Sequence, residues 1–582
     1  MTEYFEVHDR DGAARGGTLR FEDPVRTPGL VDGLVRDAGS EWTRERELPA
    51  GDDSTLTVLP HRALPGGTPT EVQEAFEGTY PAVSFPSAAV ITSDRPVDHG
   101  TDAYVLSNAQ ELAGHAAAFV EGIVRTREAI PADTALYLPG VATPANVPTL
   151  AYAGVDLFDT DRAVLKGTQG KYLTTDGELF LEDLTELPCA CSVCQKTRSD
   201  FDREDCATHN EHVLRASLRT VRERIRAGRL RDYIEGQARH EQWLTAVFRR
   251  LDRQYSYLEQ RTPVLRRGEI TAATDDTLRR VEIQRFADRV ATRYRCRFDN
   301  PLVLAPCSAR KPYSESQSHG QFHDAIQFRG HLVSMTSPIG VVPQELELTY
   351  PAQHYDSVVT GSWSATEIEF VSDVLAAYLE ANEYSRAIAH LPEDYRQICD
   401  RAATKTGVDF EYTVEDHPTT STSLSNLAAS LSGESAYLKR ERQHNTIRAI
   451  ADYQFGSGAG DELFDQFQVG SRYPKLRVSM EAGDQLAMLV PEYGVLALTL
   501  AGGRRWVESS VPTRRISIDS FVPHGSVLAP GVVDASDSIR VGDEVVIEGP
   551  RAFAVGRAEM SGPEMVESTR GVASSVRHVE EA

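Results

Sequence analysis

The sequence predicts an α/β protein of several domains, and three observations support this fold class. The chain has 582 residues, a length typical of roughly three to five domains. Short apolar runs alternate with helical patterns up to about residue 275, as in the run at 88–91 and the helical pattern at 109–127. A second alternation of the same kind begins near Thr277, and the residues after about 504 are dense in short strand patterns. These patterns predict two α/β regions and a small C-terminal β-barrel.

The predicted domains follow from where these patterns change. We expect a barrel or an open α/β domain with a metal-binding subdomain at 1–275, a second α/β domain at 276–424, a small α+β domain at 425–503 and a β-barrel at 504–582. A Thr/Ser-rich linker at 418–423 is expected to close the second domain. Predicted strands are at 88–91, 135–138, 302–305, 331–335, 357–361, 387–391, 516–518, 526–529 and 544–547, and predicted helical stretches are at 109–127, 214–265 and 365–383.

The composition indicates a salty cytoplasm. The formal net charge is −25, and only seven of the 61 basic residues are Lys. An acidic chain that prefers Arg to Lys is typical of adaptation to a salty cytosol, where at about 1 M salt the Debye length is only ~3 Å and long-range electrostatic repulsion would be screened. The sequence has no apolar run of membrane-spanning length and no secretory signal pattern, so we expect a cytoplasmic protein without a membrane partner.

A cluster of thiols predicts a metal site. Cys189, Cys191 and Cys194 are spaced as ligands of one tetrahedral Zn²⁺. His209 is the expected fourth ligand, and Cys206 and His212 are alternatives. A set of four protein ligands leaves no open position, so this zinc is predicted to be structural.

The segment 306–319 is the expected catalytic loop. It follows the apolar run 302–305, so it should lie at the carboxyl end of a buried strand, where open α/β sheets place their ligands. The loop brings together Cys307, Lys311 and His319, and thiol, amine and imidazole are the groups of a nucleophilic site. The Gly-rich stretches at 167–171 and 456–460 lack the spacing and the preceding strand of a phosphate loop. We therefore expect no nucleotide cofactor.

Several segments of the first half are similar to archaeal tRNA-guanine transglycosylases. These segments are 154–159, 170–174, 188–194, 209–210 and the Arg-rich helical region after 228–230. The resemblance implies a (β/α) barrel, the zinc ligands Cys189, Cys191, Cys194 and His209, and a nucleophilic aspartate at Asp159. The Asp-Ser-Gly-Gly-Phe-Gln loop that helps hold guanine in that family has no counterpart at 85–90. We therefore expect a degenerate barrel in which Asp159 is a relic or an RNA contact rather than a working nucleophile.

The second half resembles archaeosine synthases, which are paralogues of the transglycosylases. The resemblance rests on 306–319, 337–347 and 354–361, and the segments 531–534, 542–546 and 571–573 resemble an RNA-binding PUA domain. It implies addition of the ε-amine of free L-lysine to the nitrile of 7-cyano-7-deazaguanine in the D-loop of tRNA, followed by cleavage of the adduct by a radical-SAM partner subunit. The transglycosylase relatives form dimers, so the resemblance also allows a homodimer for this protein. Glutamine-dependent amidinotransfer, tRNA-guanine base exchange and a non-catalytic tRNA scaffold are the alternative functions.

The hypothesis for the chemistry assigns each loop residue a role. The Cys307 thiolate adds to the nitrile, and Lys311 or His319, as a cation, favours the thiolate; His319 is alternatively the base that deprotonates the incoming amine. Hydrogen bonds to the developing imido nitrogen are assigned to Ser308, Ser314 and Ser318. Binding of the positively charged lysine is assigned to Glu345, Glu347 and Asp356. RNA contacts are assigned to Arg504, Arg505, Arg514 and Arg515, with Trp506 as a stacking surface.

Overall fold

The structure is a computed structural model that describes residues 4–76, 80–357, 362–481 and 483–581. The chain divides into two compact units. The first contains Met1–Pro263, Leu528–Val532 and Met560–Ala573, and the second contains Val264–Val527, Val533–Glu559 and Ser574–Ala582. No helix in the described ranges is both long enough and apolar enough to cross a membrane.

The elements up to residue 263 are strands β1 (Phe5–Asp11), β2 (Ala14–Leu19), β3 (Val25–Thr27), β4 (Gly29–Leu30), β5 (Val35–Asp37), β6 (Leu56–Val58), β7 (Ser87–Ile91), β8 (Ala103–Leu106), β9 (Ala135–Tyr137), β10 (Leu157–Phe158), β11 (Lys171–Thr174) and β12 (Gly177–Phe180). The helices of this region are α1 (Thr70–Ala75), α2 (Ala109–Leu112), α3 (Ala116–Ala129), α4 (Val147–Tyr152), α5 (Asp161–Thr168), α6 (Arg203–Arg226), α7 (Leu230–Gln237), α8 (Gln242–Leu251) and α9 (Tyr255–Arg261).

The main sheet of the first unit is an open half-barrel. Its seven strands are parallel and follow the order β4-β10-β9-β8-β7-β6-β5, so β4 and β5 form its edges in the described part of the chain. One fully buried apolar residue from each of five strands forms an inner layer: Leu56, Ala88, Ala103, Ala135 and Leu157. This confirms the degenerate transglycosylase-like barrel, and α6 to α9 account for the helical stretch predicted at 214–265.

From residue 264 the strands are β13 (Ile270–Ala272), β14 (Leu302–Pro306), β15 (His331–Thr336), β16 (Gly340–Pro343), β17 (Tyr355–Ser357), β18 (Ala387–Ala389), β19 (Phe410–Tyr412), β20 (Gln468–Gly470), β21 (Arg477–Ser479), β22 (Gln485–Val490), β23 (Val495–Leu498), β24 (Arg515–Ile518), β25 (Ser526–Leu528), β26 (Val532–Ala535), β27 (Glu544–Gly549), β28 (Ala552–Ala558) and β29 (Val572–Glu581). The helices are α10 (Val281–Thr292), α11 (Gln317–Ile326), α12 (Ala365–Ala381), α13 (Arg396–Thr406), α14 (Ser421–Ser430), α15 (Lys439–Phe455), α16 (Ala459–Leu463), α17 (Leu500–Glu508) and α18 (Gly562–Glu567).

The second α/β region is built on a five-stranded sheet in the order β16-β15-β14-β18-β19. Strand β14 is central and pairs in parallel with β15 and β18. Its alternate residues enter different cores: Val303 and Ala305 pack with residues of α11 and α14, whereas Leu302 and Leu304 pack with residues of α10 and α12. A strand with helices on both faces is apolar throughout, which is why this run could be recognised in the sequence.

The linker predicted at 418–423 is wrong, because this segment starts a helix. Thr420 is the N-cap of α14, and its hydroxyl accepts a hydrogen bond from the Ser423 N–H. Leu427 of α14 is fully buried against the sheet. Ser and Thr serve here as capping residues, which favours a helix start rather than a flexible connection. The predicted boundaries at 424 and 503 fall inside α14 and α17.

The second half of the chain also contains the two-stranded parallel sheet β13–β17 and two larger sheets. The small α+β region contains the antiparallel sheet β20-β21-β22-β23, which follows α14, α15 and α16. The predicted C-terminal barrel corresponds to a six-stranded sheet in the order β25-β29-β28-β27-β24-β26. Of the strand predicted at 357–361, only Ser357 lies in β17; positions 358–361 lie outside the described residues.

Candidate active site and metal centre

Cys307 lies at the point where the order of the parallel sheet reverses. It directly follows β14, whose chain continues through α11 to β15 on one side, while β18 lies on the other side. The loops after neighbouring strands diverge at such a point and leave a crevice at the carboxyl ends of the strands, where α/β proteins bind ligands. The predicted position of this loop is therefore correct.

The Cys307 thiol is half-buried and in contact with residues from both sides of this crevice. The Cys307 N–H donates to the Met335 carbonyl at the end of β15, at 3.2 Å. From the β18 side, the Tyr395 hydroxyl hydrogen-bonds the Cys307 sulfur, and burial together with the nearby sulfur raises the pKa of this phenol. Tyr395 thus stays protonated and can donate to a thiolate.

Lys311 is the cation of this crevice. Its Nζ lies 3.8 Å from the centroid of the Tyr355 ring, a distance typical of a cation–π contact. Burial lowers the pKa of Lys311, and the charges of Cys307, Asp356 and Glu269 partly offset that effect. The side chains of Asp356 and Glu269 are both exposed. Lys311 is therefore placed next to a thiol and two solvent-accessible carboxylates.

A pair of buried tyrosines holds the ring beneath Lys311. The Tyr313 and Tyr355 hydroxyls are 2.7 Å apart, and the Tyr355 hydroxyl is also 2.9 Å from Thr336 Oγ1. Burial raises the pKa of both phenols. Because each hydroxyl has a partner, the ring of Tyr355 is held in place for the lysine above it.

His319 does not supply a cation to Cys307, which corrects one of its two predicted roles. Its ring is 1% exposed and stacks on Tyr313. Burial lowers the pKa of His319 to about 4, and Nε2 donates to the Pro306 carbonyl at 3.0 Å. A neutral imidazole in this position ties the end of β14 to α11. Its role as the base remains a prediction.

The predicted serines are engaged in local structure around the loop. Ser308 Oγ donates to the Arg310 carbonyl at 2.7 Å, which closes the turn after Cys307. Ser318 Oγ lies 3.3 Å from the hydroxyl of Ser316, and that hydroxyl caps α11 by accepting from the His319 N–H. Ser314 contributes its backbone N–H to Glu347. Their predicted bonds to substrate stay predictions.

Two of the three carboxylates assigned to lysine binding are buried, and those assignments are wrong. Glu347 is 3% exposed and accepts from the Ser314 N–H at 2.8 Å and the Tyr473 hydroxyl at 2.6 Å. Glu345 is 2% exposed and pairs with His331. Helical and strand periodicity gives no information about such partners. Asp356 remains as a candidate for binding an amine.

The predicted metal ligands converge. The ligand atoms of Cys189, Cys191, Cys194 and His209 all lie within 4.8 Å of one another and could hold a metal ion. His209 Nε2 donates to the Leu173 carbonyl at 2.9 Å, which leaves Nδ1 to face the sulfurs of Cys191 and Cys194. This second hydrogen bond orients the ring as in known metal-ligating histidines.

The alternative ligands lie outside this cluster. Cys206 is fully buried, and burial raises the pKa of its thiol to about 11. His212 hydrogen-bonds Cys191. The Tyr172 hydroxyl lies 3.3 Å from the Cys194 sulfur, and its ring stacks on His209. The four-residue set is thus surrounded by side chains that support it, as expected of a structural metal site.

Asp159 directly follows β10 and is fully engaged. Its Oδ2 accepts from the Tyr137 hydroxyl at 2.9 Å and the Gly140 N–H at 2.7 Å, and its Oδ1 accepts from the Asp161 N–H at 3.1 Å. The side chain is buried, and burial raises its pKa. The assignment of Asp159 as a relic or an RNA contact stays a prediction.

The arginine cluster is not a free RNA-binding patch. Arg514 is 7% exposed, with one guanidinium nitrogen donating to the Gln454 carbonyl at 3.0 Å, and Trp506 is fully buried. These two assignments are wrong because both side chains face the interior. The other three arginines, of which Arg505 is half-buried, are paired with carboxylates: Arg504 with Glu580, Arg505 with Asp465 and Arg515 with Glu548.

The structure adds residues that the sequence did not indicate. Tyr395 and Tyr355 reach the Cys307 loop from distant parts of the chain, and Glu269 brings a carboxylate from before α10. Tyr395 follows strand β18 by a few residues, which is common for a tyrosine and indicates no function by itself. Only the order of the strands in the sheet shows that Tyr395 reaches the crevice.

Comparison with known proteins agrees with this organisation. Residues 78–242 match the queuine tRNA-ribosyltransferase family, 445–512 match the patch-forming domain C2 of tRNA-guanine transglycosylase, 517–579 match the PUA domain, and 283–431 match a domain of unknown function. A transglycosylase-type half-barrel with a Cys₃His cluster and a PUA domain defines a tRNA-modifying protein of transglycosylase type.

Similarity to curated proteins gives the family. The chain is 62% identical to the archaeosine synthase of Haloferax volcanii and 41% identical to the archaeosine synthase subunit alpha of Methanosarcina acetivorans, over 100% of both chains in each case. It is 28% identical to the tRNA-guanine(15) transglycosylase of Methanothermobacter thermautotrophicus, over 79% of this chain and 68% of the relative. The chain belongs to the archaeosine synthase family.

Proposed function

We propose that this chain adds the ε-amine of free L-lysine to the nitrile of 7-cyano-7-deazaguanine in the D-loop of tRNA. The observation that carries the proposal is the position of Cys307 at the reversal point of the sheet, with Lys311 and Tyr395 beside it. A nitrile carbon is already electrophilic, so a nucleophile and hydrogen-bond donors suffice. The reaction requires no nucleotide cofactor.

The first step is attack by sulfur. The Cys307 thiolate forms a C–S bond to the nitrile carbon, one C≡N π bond breaks, and the nitrogen takes a proton to give a thioimidate. Lys311 favours the thiolate by its charge, and the Tyr395 hydroxyl donates a hydrogen bond to the sulfur. A nearby protonated group, Lys311 or Tyr395, is the source of the proton for the new imido nitrogen.

The second step releases Cys307 from the thioimidate. The neutral ε-amine of lysine forms a C–N bond to the thioimidate carbon, the C–S bond breaks, and Cys307 leaves as thiolate while the added nitrogen loses a proton. The product is a lysine amidine. The exposed carboxylates Asp356 and Glu269 supply negative charge for the α-ammonium of the incoming amino acid.

Zinc is the metal we assign to Cys189, Cys191, Cys194 and His209. Three thiolates and one imidazole suit tetrahedral Zn²⁺, and four protein ligands leave no position for substrate. The metal would hold the β11–β12 hairpin against α6 and take no part in the chemistry at Cys307.

The proposed partners follow from the family. The PUA domain supports binding of tRNA, and a radical-SAM subunit would cleave the lysine adduct to the final base. We place the protein in the cytoplasm, as a homodimer like transglycosylases. The acidic surface makes tRNA binding depend on local contacts rather than on long-range attraction.

The test is mass spectrometry of nitrile-bearing tRNA after incubation with the chain and L-lysine. We expect a gain of one lysine, and we expect Cys307→Ser to abolish it while Cys399→Ser, a buried thiol of the same region, leaves it unchanged. Glutamine hydrolysis with no lysine gain would support amidinotransfer instead. Incorporation of labelled free base into unmodified tRNA would support base exchange.

Full lysine addition by Cys307→Ser would remove covalent catalysis from the proposal. A variant without the loop that is still active with the radical-SAM partner would support a scaffold role.

A further inference from the structure

A second cysteine, Cys296, lies in a polar cluster at the opposite end of the sheet from Cys307. Its sulfur is 3.5 Å from His331 Nδ1, and His331 Nε2 is 2.9 Å from Glu345 Oε2. His331 is the first residue of β15 and pairs with Leu302, the first residue of β14, whereas Cys307 follows the last residue of that strand. The cluster therefore plays no part in the proposed reaction.

Hydrogen-bond donors converge on the Cys296 sulfur. The Phe298 N–H donates to it at 3.5 Å, and the Tyr384 hydroxyl also hydrogen-bonds it. The Tyr384 oxygen lies 2.8 Å from His331 Nδ1, so an imidazole N–H is shared between this oxygen and the sulfur. The competing arrangement, in which the thiol donates to the Phe298 carbonyl, is longer at 3.7 Å. A sulfur that accepts from several donors is stabilised as thiolate.

The charges around the imidazole support this state. The titratable groups in contact with His331 are Cys296, Glu345, Tyr294 and Tyr384. Tyr378 packs against Tyr294 and Tyr384, and Tyr437 packs against Phe298. Burial alone would lower the pKa of His331, but the thiolate and the carboxylate outweigh it and raise that pKa to about 10. Burial alone would raise the pKa of Cys296, but the charge of His331 outweighs it and lowers that pKa.

We propose that Cys296, activated by His331 and Glu345, is a modification site at which small soft electrophiles and hydrogen peroxide attack this protein. His331 and Glu345 are buried, whereas Cys296 is half-buried, so Cys296 is the most exposed residue of the three. With iodoacetamide, the thiolate forms an S–C bond and iodide leaves. With hydrogen peroxide, an S–O bond forms, the O–O bond breaks and hydroxide leaves, so sulfur is oxidised by two electrons to a sulfenic acid.

The test measures the alkylation rate of each cysteine in the full-length, metal-loaded chain by iodoacetamide labelling and peptide mass spectrometry from pH 6 to 10. Cys399 is the internal control, because burial raises the pKa of its thiol to about 12. We expect Cys296 to react at pH 7 at least about tenfold faster than Cys399, at a rate that changes little from pH 7 to 9. Peroxide followed by dimedone should label Cys296.

Variants test the role of the imidazole. His331→Asn should slow alkylation of Cys296 at pH 7 by about tenfold and restore the rise in rate with pH of an ordinary thiol. Glu345→Gln should have a smaller effect in the same direction. The pH profile of the wild-type protein tests the proposal without any variant, so the test remains valid even if the two variants do not fold.

The proposal is overturned if Cys296 in the wild-type chain reacts no faster than Cys399, or if its rate climbs steadily through pH 9. These readouts do not involve lysine addition, so they are independent of the proposed function.

Discussion

The Lys311 side chain is half-enclosed above the Tyr355 ring and interacts with the charges of Cys307, Asp356 and Glu269. Burial removes water that hydrates the charged ammonium group, so the pKa of Lys311 is lowered from its ordinary value of 10.5. Lysine is charged below its pKa. In the proposed reaction, the positive charge by which Lys311 favours the Cys307 thiolate is therefore present at neutral pH and lost as the pH rises through the lowered pKa of Lys311.

We predict that Lys311→Arg extends the activity to higher pH. The alkaline limb of the wild-type rate of lysine addition should lie below pH 10.5, whereas arginine stays charged throughout that range. Lys311→Met should lower the rate by about 10²–10³-fold at neutral pH, the loss expected for one preorganised electrostatic contact, and this difference should shrink as the pH rises through the pKa of Lys311. The measurement is the pH–rate profile of the three proteins. An unchanged alkaline limb in Lys311→Arg would show that another group titrates there.

The carboxylates near the loop have different environments and should respond differently to the same change. We predict that Asp356→Asn raises the KM for lysine by about tenfold and alters the free energy of unfolding by less than about 0.5 kcal/mol, because this side chain is exposed. Glu347→Gln should cost about 1–3 kcal/mol, because Glu347 is buried and accepts from Ser314 and Tyr473. Substrate kinetics and urea denaturation measure the two effects. Equal loss of stability in both variants would contradict this assignment.

At the scale of elements, the metal cluster joins a short hairpin to a long helix. Strands β11 and β12 pair with each other only, within the described sheets, and the hairpin contacts α6 through side chains such as Tyr172, which stacks on His209. An isolated hairpin is marginally stable in water. We therefore expect a metal ion held by His209 of α6 and the three cysteines to stabilise this segment.

We predict that Cys194→Ser loses the metal and that Cys206→Ser keeps it. Metal content is measured by elemental mass spectrometry. The structural order of residues 171–212 is measured by amide hydrogen exchange. In Cys194→Ser we expect exchange in this segment to become at least about tenfold faster, while the sheet around β14 keeps its protection. Metal loss from Cys206→Ser would instead make Cys206 a ligand.

The sequence predicted those helices, strands and sites for which a single physical pattern, such as continuous burial or ligand spacing, is dominant. Strand β14 is apolar at every position because both faces are covered, and the thiol spacing identified the metal ligands. Helix α14 was missed because its Thr and Ser residues, typical of linkers, here cap and start a helix. Cys307 and Lys311 are close in sequence, so their proximity was predictable. Tyr395 reaches them only through the strand order, which composition does not reveal.

At the scale of the whole molecule, acidic residues outnumber basic ones by 86 to 61. Many surface arginines are already paired with carboxylates, as Arg515 is with Glu548 and Arg386 with Glu411. The burial of Arg514 and Trp506 shows that the same residue types in sequence can serve packing rather than RNA. The remaining excess of carboxylates repels itself in the folded state more than in the expanded chain.

We predict that this repulsion makes the stability of the protein depend on salt. Raising KCl from 0.1 to 1 M shortens the Debye length from ~10 Å to ~3 Å. This screens both the repulsion and the exposed ion pairs, but each exposed pair contributes only about 0–1 kcal/mol and the acidic excess acts over the whole surface. The thermal unfolding midpoint should therefore rise steeply below about 1 M KCl and then more slowly. Sucrose, which leaves charges unscreened, should raise it without this early phase. A midpoint that falls between 0.1 and 1 M KCl would mean that ion pairs contribute more to stability than the acidic excess removes.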